Sequence, residues 1–112
     1  MNIKLPVKPM SVNKAWRGGR RYRTDEYIDY EKELFVYLPR EKVSGMVEIF
    51  YTFYLKNHKT TDTSNLIKLL EDIMVKKGVI DDDRFVYSFH AKKIPSDVEH
   101  MEIDIVPYTL TT

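Results

Sequence analysis

Apolar positions recur along this chain at two periods, and the switches between them mark its elements. Residues 2–7 alternate weakly, which predicts a short first strand ending at Pro6 or Pro9. From 11 to 23 no period holds, and Gly18-Gly19 marks a loop or a flexible hairpin. Tyr27, Tyr30, Leu34, Tyr37 and Leu38 then recur at helical spacing. Thr24 can cap that helix, Asp25 and Glu26 suit its first turn, and Pro39 stops it. The stretch 43–55 carries the strongest strand signal, with Val47, Ile49, Tyr51, Phe53 and Leu55 on one face. A polar loop, 56–62, leads into a second helix that Thr63 or Ser64 can cap and that runs to about Lys77, before Gly78. Two further strands, near 85–93 and 98–106, are split by Pro95-Ser96-Asp97, and the tail from Tyr108 is expected to fray. The order β-α-β-α-β-β predicts one α+β domain over 1–112, with two helices packed on one face of a mixed four-stranded sheet.

Composition narrows this picture. A chain of 112 residues builds one core, and 43% hydrophobic with 31% charged residues is the profile of an ordered globular protein. No apolar run approaches the ~18 residues that cross a bilayer, and the opening MNIKLPVKPM has no secretion-type apolar stretch. The absence of cysteine excludes disulfides and thiolate zinc sites, so a cytoplasmic location is expected. The net charge of +1 hides an asymmetry: residues 1–23 hold seven basic side chains and no acidic one. A basic arm joined to an acidic body suits a protein that grips a polyanion while placing carboxylates near it.

The second helix carries the candidate chemistry. At about 100° per residue, Leu66, Leu69, Leu70, Ile73 and Met74 form an apolar stripe with Ile67 on its border. The opposite arc gathers Ser64, Asn65, Lys68, Glu71 and Asp72, interrupted only by Val75. An ordinary solvated face would pair Lys68 with Asp72 at i,i+4. Asp62 just before the helix and Asp81-Asp82-Asp83 just after it argue for more than that. Successive carboxylates repel unless a cation or basic group offsets them. An oxygen-only donor set favours magnesium or manganese over zinc.

The run Asp62-Thr63-Ser64-Asn65-Leu66-Ile67-Lys68, then Glu71-Asp72, then Gly78-Val79-Ile80-Asp81-Asp82-Asp83, resembles the RusA family of Holliday junction resolvases. That family opens a helix with Asp-x-Asp-Asn-x-x-Lys and follows it with a Gly-x-x-x-Asp-Asp turn. Pro9-Met10-Ser11-Val12-Asn13-Lys14-Ala15-Trp16-Arg17 is similar to its N-terminal segment. The resemblance spans about residue 5 to residue 105. It implies a homodimeric, magnesium-dependent endonuclease that nicks four-way DNA junctions in recombination and repair, a type often encoded by phages or prophages. It also implies metal-site roles for Asp62 and Asp83, a catalytic role for Lys68, and supporting roles for Asn65 and Asp72. Ser64 stands where the family has a second motif aspartate, and a hydroxyl is a poorer magnesium ligand than a carboxylate. Glu71, seven residues on and on the same face, is the candidate replacement, with Asp82 as the alternative.

For DNA contact the candidates are Asn13, Lys14, Trp16, Arg17, Arg20, Arg21 and Arg23, joined by Lys59. Basic groups there would neutralise phosphates, and Trp16 can either stack on an unpaired base or anchor the arm to the core. Eight tyrosines and five phenylalanines exceed what so small a core easily encloses, which points to a dimer interface. Tyr51, Phe53 and Tyr54 can equally lie beneath the helices. The rival function is a non-catalytic module that binds branched or single-stranded DNA, motivated by Ser64.

Overall fold

The computed structural model describes residues 1–18 and 22–110. Strand β1 (Asn2–Leu5) leads through a 3-10 turn (Val12–Lys14) into a small hairpin, β2 (Trp16–Arg17) with β3 (Tyr22–Arg23). Helix α1 (Asp25–Tyr37), strand β4 (Val47–Leu55) and helix α2 (Thr63–Lys77) follow. After a second 3-10 turn (Asp83–Phe85) come β5 (Val86–Pro95) and β6 (His100–Pro107). The main sheet runs β1-β6-β4-β5. Strand β5 is parallel to β4, as the helical crossover through α2 requires, whereas β6 is antiparallel to both β4 and β1. The α+β architecture read from the pattern is the one observed, and the small β2–β3 pair lies within the stretch read as a loop or a flexible hairpin.

Both helices cover one face of the sheet. Val47, Ile49, Tyr51, Phe53 and Leu55 alternate into the layer beneath them and meet Tyr27, Tyr30 and Leu34 of α1 and Leu66, Leu69, Leu70, Ile73 and Met74 of α2. Tyr51 and Phe53 therefore lie under the helices, as one of the two readings held. Tyr54 lies on the uncovered face, stacked on His100 at 4.0 Å, and Phe50 stacks there on His90 at 4.8 Å. Both histidines serve this surface, His90 through Glu48 at 2.9 Å and His100 through the Val98 carbonyl at 2.9 Å.

Boundaries moved where one local group overrode the pattern. The strand expected from residue 43 begins at Val47, because Gly45 takes φ +76, which leaves Val43 a single parallel bridge to Ile80. Thr24 caps α1 as expected, its side chain accepting the Tyr27 N–H at 3.2 Å. Helix α2 is capped by Asp62 rather than Thr63 or Ser64. Its end at Gly78 has φ +84, and the Gly78 N–H reaches the Met74 and Val75 carbonyls. Tyr108 is not frayed, since its N–H bonds the Met46 carbonyl at 2.9 Å; residues 111–112 lie outside the described residues.

Candidate active site

The polar face of α2 holds two groups of functional side chains. The first surrounds its N-terminus. Asp62 Oδ1 accepts the Ser64 N–H at 3.0 Å and the Ser64 hydroxyl at 2.8 Å. Those two bonds hold the Asp62 carboxyl below the usual carboxylate range, with Lys93 adding to the effect. Ser64 thus binds the neighbouring aspartate where the family pattern would place a second carboxylate. Asp62 and Asn65 line one open cleft of ≈ 680 Å³ together with Asn13 and Lys14 of the N-terminal segment.

The second group lies further along the helix, facing the turn before β5. Glu71 is half-buried, and its carboxyl is pushed up to about 7, first by burial and then by the Asp83 and Asp72 carboxylates. Directly beneath it the Tyr51 hydroxyl is buried and forms no hydrogen bond of good geometry, although Glu71 is near enough to act on it electrostatically. Asp82 and Asp83 interact as a pair. Asp83 is raised by the hydrogen bond and charge of Asp82, while that same hydrogen bond lowers Asp82. Asp72, Asp82 and Asp83 line a shallow concavity of ≈ 280 Å³ with Trp16, Tyr27, Val75 and Lys76.

Asp81 has left this cluster. It accepts the Gly45 N–H at 2.8 Å and pairs with Lys42 at 2.9 Å, so the first carboxylate of the acidic run fixes the turn instead. Arg84 approaches Asp82 at 3.9 Å. Among the described residues no ion pair reaches Glu71, Asp72 or Asp83, and the i,i+4 pair between Lys68 and Asp72 does not form. Lys68 is exposed, between the two groups.

The helix separates what the pattern had grouped. Asp62 precedes Glu71 by nine residues, about 13 Å along the axis at 1.5 Å per residue. Among the described residues no three His, Cys, Asp or Glu side chains converge into a ready-made metal site. The donors are nonetheless all oxygens and the second group is crowded with like charge, which suits a hard divalent cation that takes one or two carboxylates and completes its shell with water and phosphate. On that ground the residues fit such an ion.

The basic arm sits beside the acidic face. The Thr24 N–H bonds the Ala15 carbonyl at 2.9 Å and its hydroxyl bonds the Lys14 carbonyl at 2.7 Å, tying the arm to the start of α1. Trp16 packs edge-on against Tyr27 at 5.5 Å, as the anchoring reading expected, and is only partly buried, lining the concavity beside Asp83. Asn13, Lys14, Arg17 and Lys59 are exposed. Arg23 is drawn toward Glu31 at 3.6 Å and over the Tyr27 ring. Arg20 and Arg21 lie outside the described residues. Sequence reasoning missed Tyr51 beneath Glu71 and Lys93 beside Asp62. The alternation of β4 already turned Tyr51 toward the helices, whereas nothing local marked Lys93.

Comparison with known proteins is consistent across the chain. The family profile described as Endodeoxyribonuclease RusA matches residues 6–106. Over 111 residues the chain is 30% identical to a protein of Aquifex aeolicus (strain VF5) named Crossover junction endodeoxyribonuclease RusA, a match covering 94% of this chain and 87% of that protein.

Proposed function

The chain belongs to the RusA family of endodeoxyribonucleases, and from that premise we propose that it resolves four-way DNA junctions by magnesium-assisted phosphodiester hydrolysis on the polar face of α2. The observation that carries the reading is the placement of the half-buried Glu71 carboxyl beside Asp72 and Asp83 with no ion pair among the described residues; burial first, and then those two charges, push it up to about 7. A bound cation would remove that repulsion, and a plain solvated helix face has no reason to create it. Glu71 and Asp83 are the residues that would hold the ion, supported by Asp72 and Asp82 and joined by the Asp62 end of a second copy, with manganese as a substitute. Such an ion, when bound, would supply the means to activate a water and to neutralise charge at the phosphate and on the leaving oxygen.

The chain's own groups then divide the work. Lys68, exposed and unpaired among the described residues, meets the non-bridging oxygens of the scissile phosphate, where charge grows in the transition state. Lys14, Arg17 and Lys59 hold flanking phosphates, and Asn13 and Asn65 orient the strand within the cleft beside Asp62. The edge of Trp16 offers a stacking surface to an unpaired base at the branch point.

A two-fold dimer suits two nicks in one junction, because it presents two such faces. Antiparallel approach of two α2 polar faces would also set the Asp62 end of one copy against the Asp83 end of the other. The test is cleavage of a labelled synthetic four-way junction with magnesium or manganese, comparing the protein with Asp83→Asn. Paired metal-dependent nicks that vanish in the variant support the resolvase. Tight junction binding without nicks in either protein would replace it with a binding module.

A further inference from the structure

The loop that presents Asp62 leaves the sheet where β4 and β5 end together, at the Leu55 and Pro95 pair. Inside, it is a turn gathered on one acceptor: the Asn57 carbonyl takes the Thr60 and Thr61 N–H groups at 3.2 Å and the Thr61 hydroxyl at 2.9 Å. The Asp62 bonds to Ser64 are equally local. Among the described residues, one hydrogen bond ties residues 57–62 to an element outside the loop and its helix, from Lys93 Nζ to the Thr61 carbonyl at 3.0 Å.

The register of β5 explains how Lys93 gets there. Lys93 pairs with Phe53, which faces the helices, whereas Lys92 pairs with Thr52 on the uncovered face. Two consecutive lysines are therefore sent to opposite sides, and only the first-face one reaches the loop. An exposed lysine on an edge strand would ordinarily extend into water. Here its ammonium is spent on the carbonyl immediately before Asp62.

We propose that Lys93 is a positioning residue of the active site, clamping Thr61 so that the outer strand fixes where the Asp62 carboxylate stands. This rests on the reading of Asp62 as a functional carboxylate.

The experiment compares Lys93→Met, Lys93→Arg and Lys92→Met with the unmodified protein. Amide hydrogen exchange is read at Thr60, Thr61 and Ser64, turnover is read on a four-way junction with magnesium, and junction affinity is read in EDTA. In Lys93→Met we expect those amides to exchange about 10-fold faster or more, with the rest of the protein unchanged, since local opening sets their rate. Turnover should fall about 10- to 100-fold, the usual effect of losing a residue that orients a metal ligand, while affinity in EDTA holds. Lys93→Arg should recover most of both, and Lys92→Met should match the unmodified protein. Unchanged exchange in Lys93→Met would overturn the proposal. So would a loss of affinity equal to the loss of turnover and shared by Lys92→Met, which would make both lysines general phosphate contacts. If the unmodified protein cuts no junction, the resolvase reading fails separately, and the exchange data still decide whether Lys93 clamps the loop.

Discussion

Glu71 gives the sharpest quantitative test. Its carboxyl stands at about 7 in the folded protein against 4.5 for a free side chain, so folding takes up a proton between those values. A carboxyl raised on folding contributes stability fully below the free value, and that contribution is lost as pH climbs through the folded one. The full shift corresponds to at most about 3 kcal/mol. Glu71 is only half-buried, and solvent screening reduces this to about 1–2 kcal/mol. Replacing Glu71 by Gln removes the ionisation while keeping the shape. In EDTA we expect Glu71→Gln to be more stable than the unmodified protein by about 1–2 kcal/mol near pH 8 and nearly equal to it near pH 4.5. Urea denaturation across that range, at one fixed protein concentration, measures the difference. If the proposed ion binds the folded state through that carboxylate, saturating magnesium at the higher pH should return much of the lost stability to the unmodified protein and less to the variant. A variant less stable at every pH, or a difference that does not change between these limits, would refute the crowding argument and remove the main support for the metal-binding role of Glu71.

Two other outcomes follow from the same face. Tyr51→Phe deletes a buried hydroxyl that has no good hydrogen bond, and should stabilise the protein by about 1 kcal/mol in thermal unfolding; destabilisation would mean that the hydroxyl supports Glu71. If Asp62 and Asp83 act in one site only across a dimer, mixing Asp62→Asn with Asp83→Asn protomers should restore single nicks that neither variant makes alone. An inert mixture would show that each copy works with its own pair.

Much of this was legible because burial imposes a period. The alternation of β4 and the stripe of α2 each place one face in the core, and the structure follows both to within a few residues. The order and spacing of the acidic and amide residues also sufficed to suggest the family. What failed to show was set by distant groups. Asp62, Thr63 and Ser64 are all good capping types, and local preference does not choose among them. Asp81, Asp82 and Asp83 are identical as letters, yet Lys42 and Gly45 withdraw the first from the cluster. Glu71 looks like any polar helix position until β4 puts Tyr51 beneath it and the turn before β5 puts Asp83 beside it. Gly45 shortened a strand that composition alone would have extended.

The strand order has a consequence for how the protein comes into being. Strand β6, the last to leave the ribosome, lies between β1 and β4, and Asn2 stands opposite Asp104. Until β6 arrives, β1 has no partner in the main sheet, and β4 has one open edge. Pairings that span nearly the whole chain are slow to form, and partial chains expose sheet edges meanwhile. A nascent chain therefore cannot assemble this sheet until β6 has emerged, so nuclease activity waits for the last strand of the sheet. A gene truncated before residue 100 would yield a polypeptide that neither folds nor cuts.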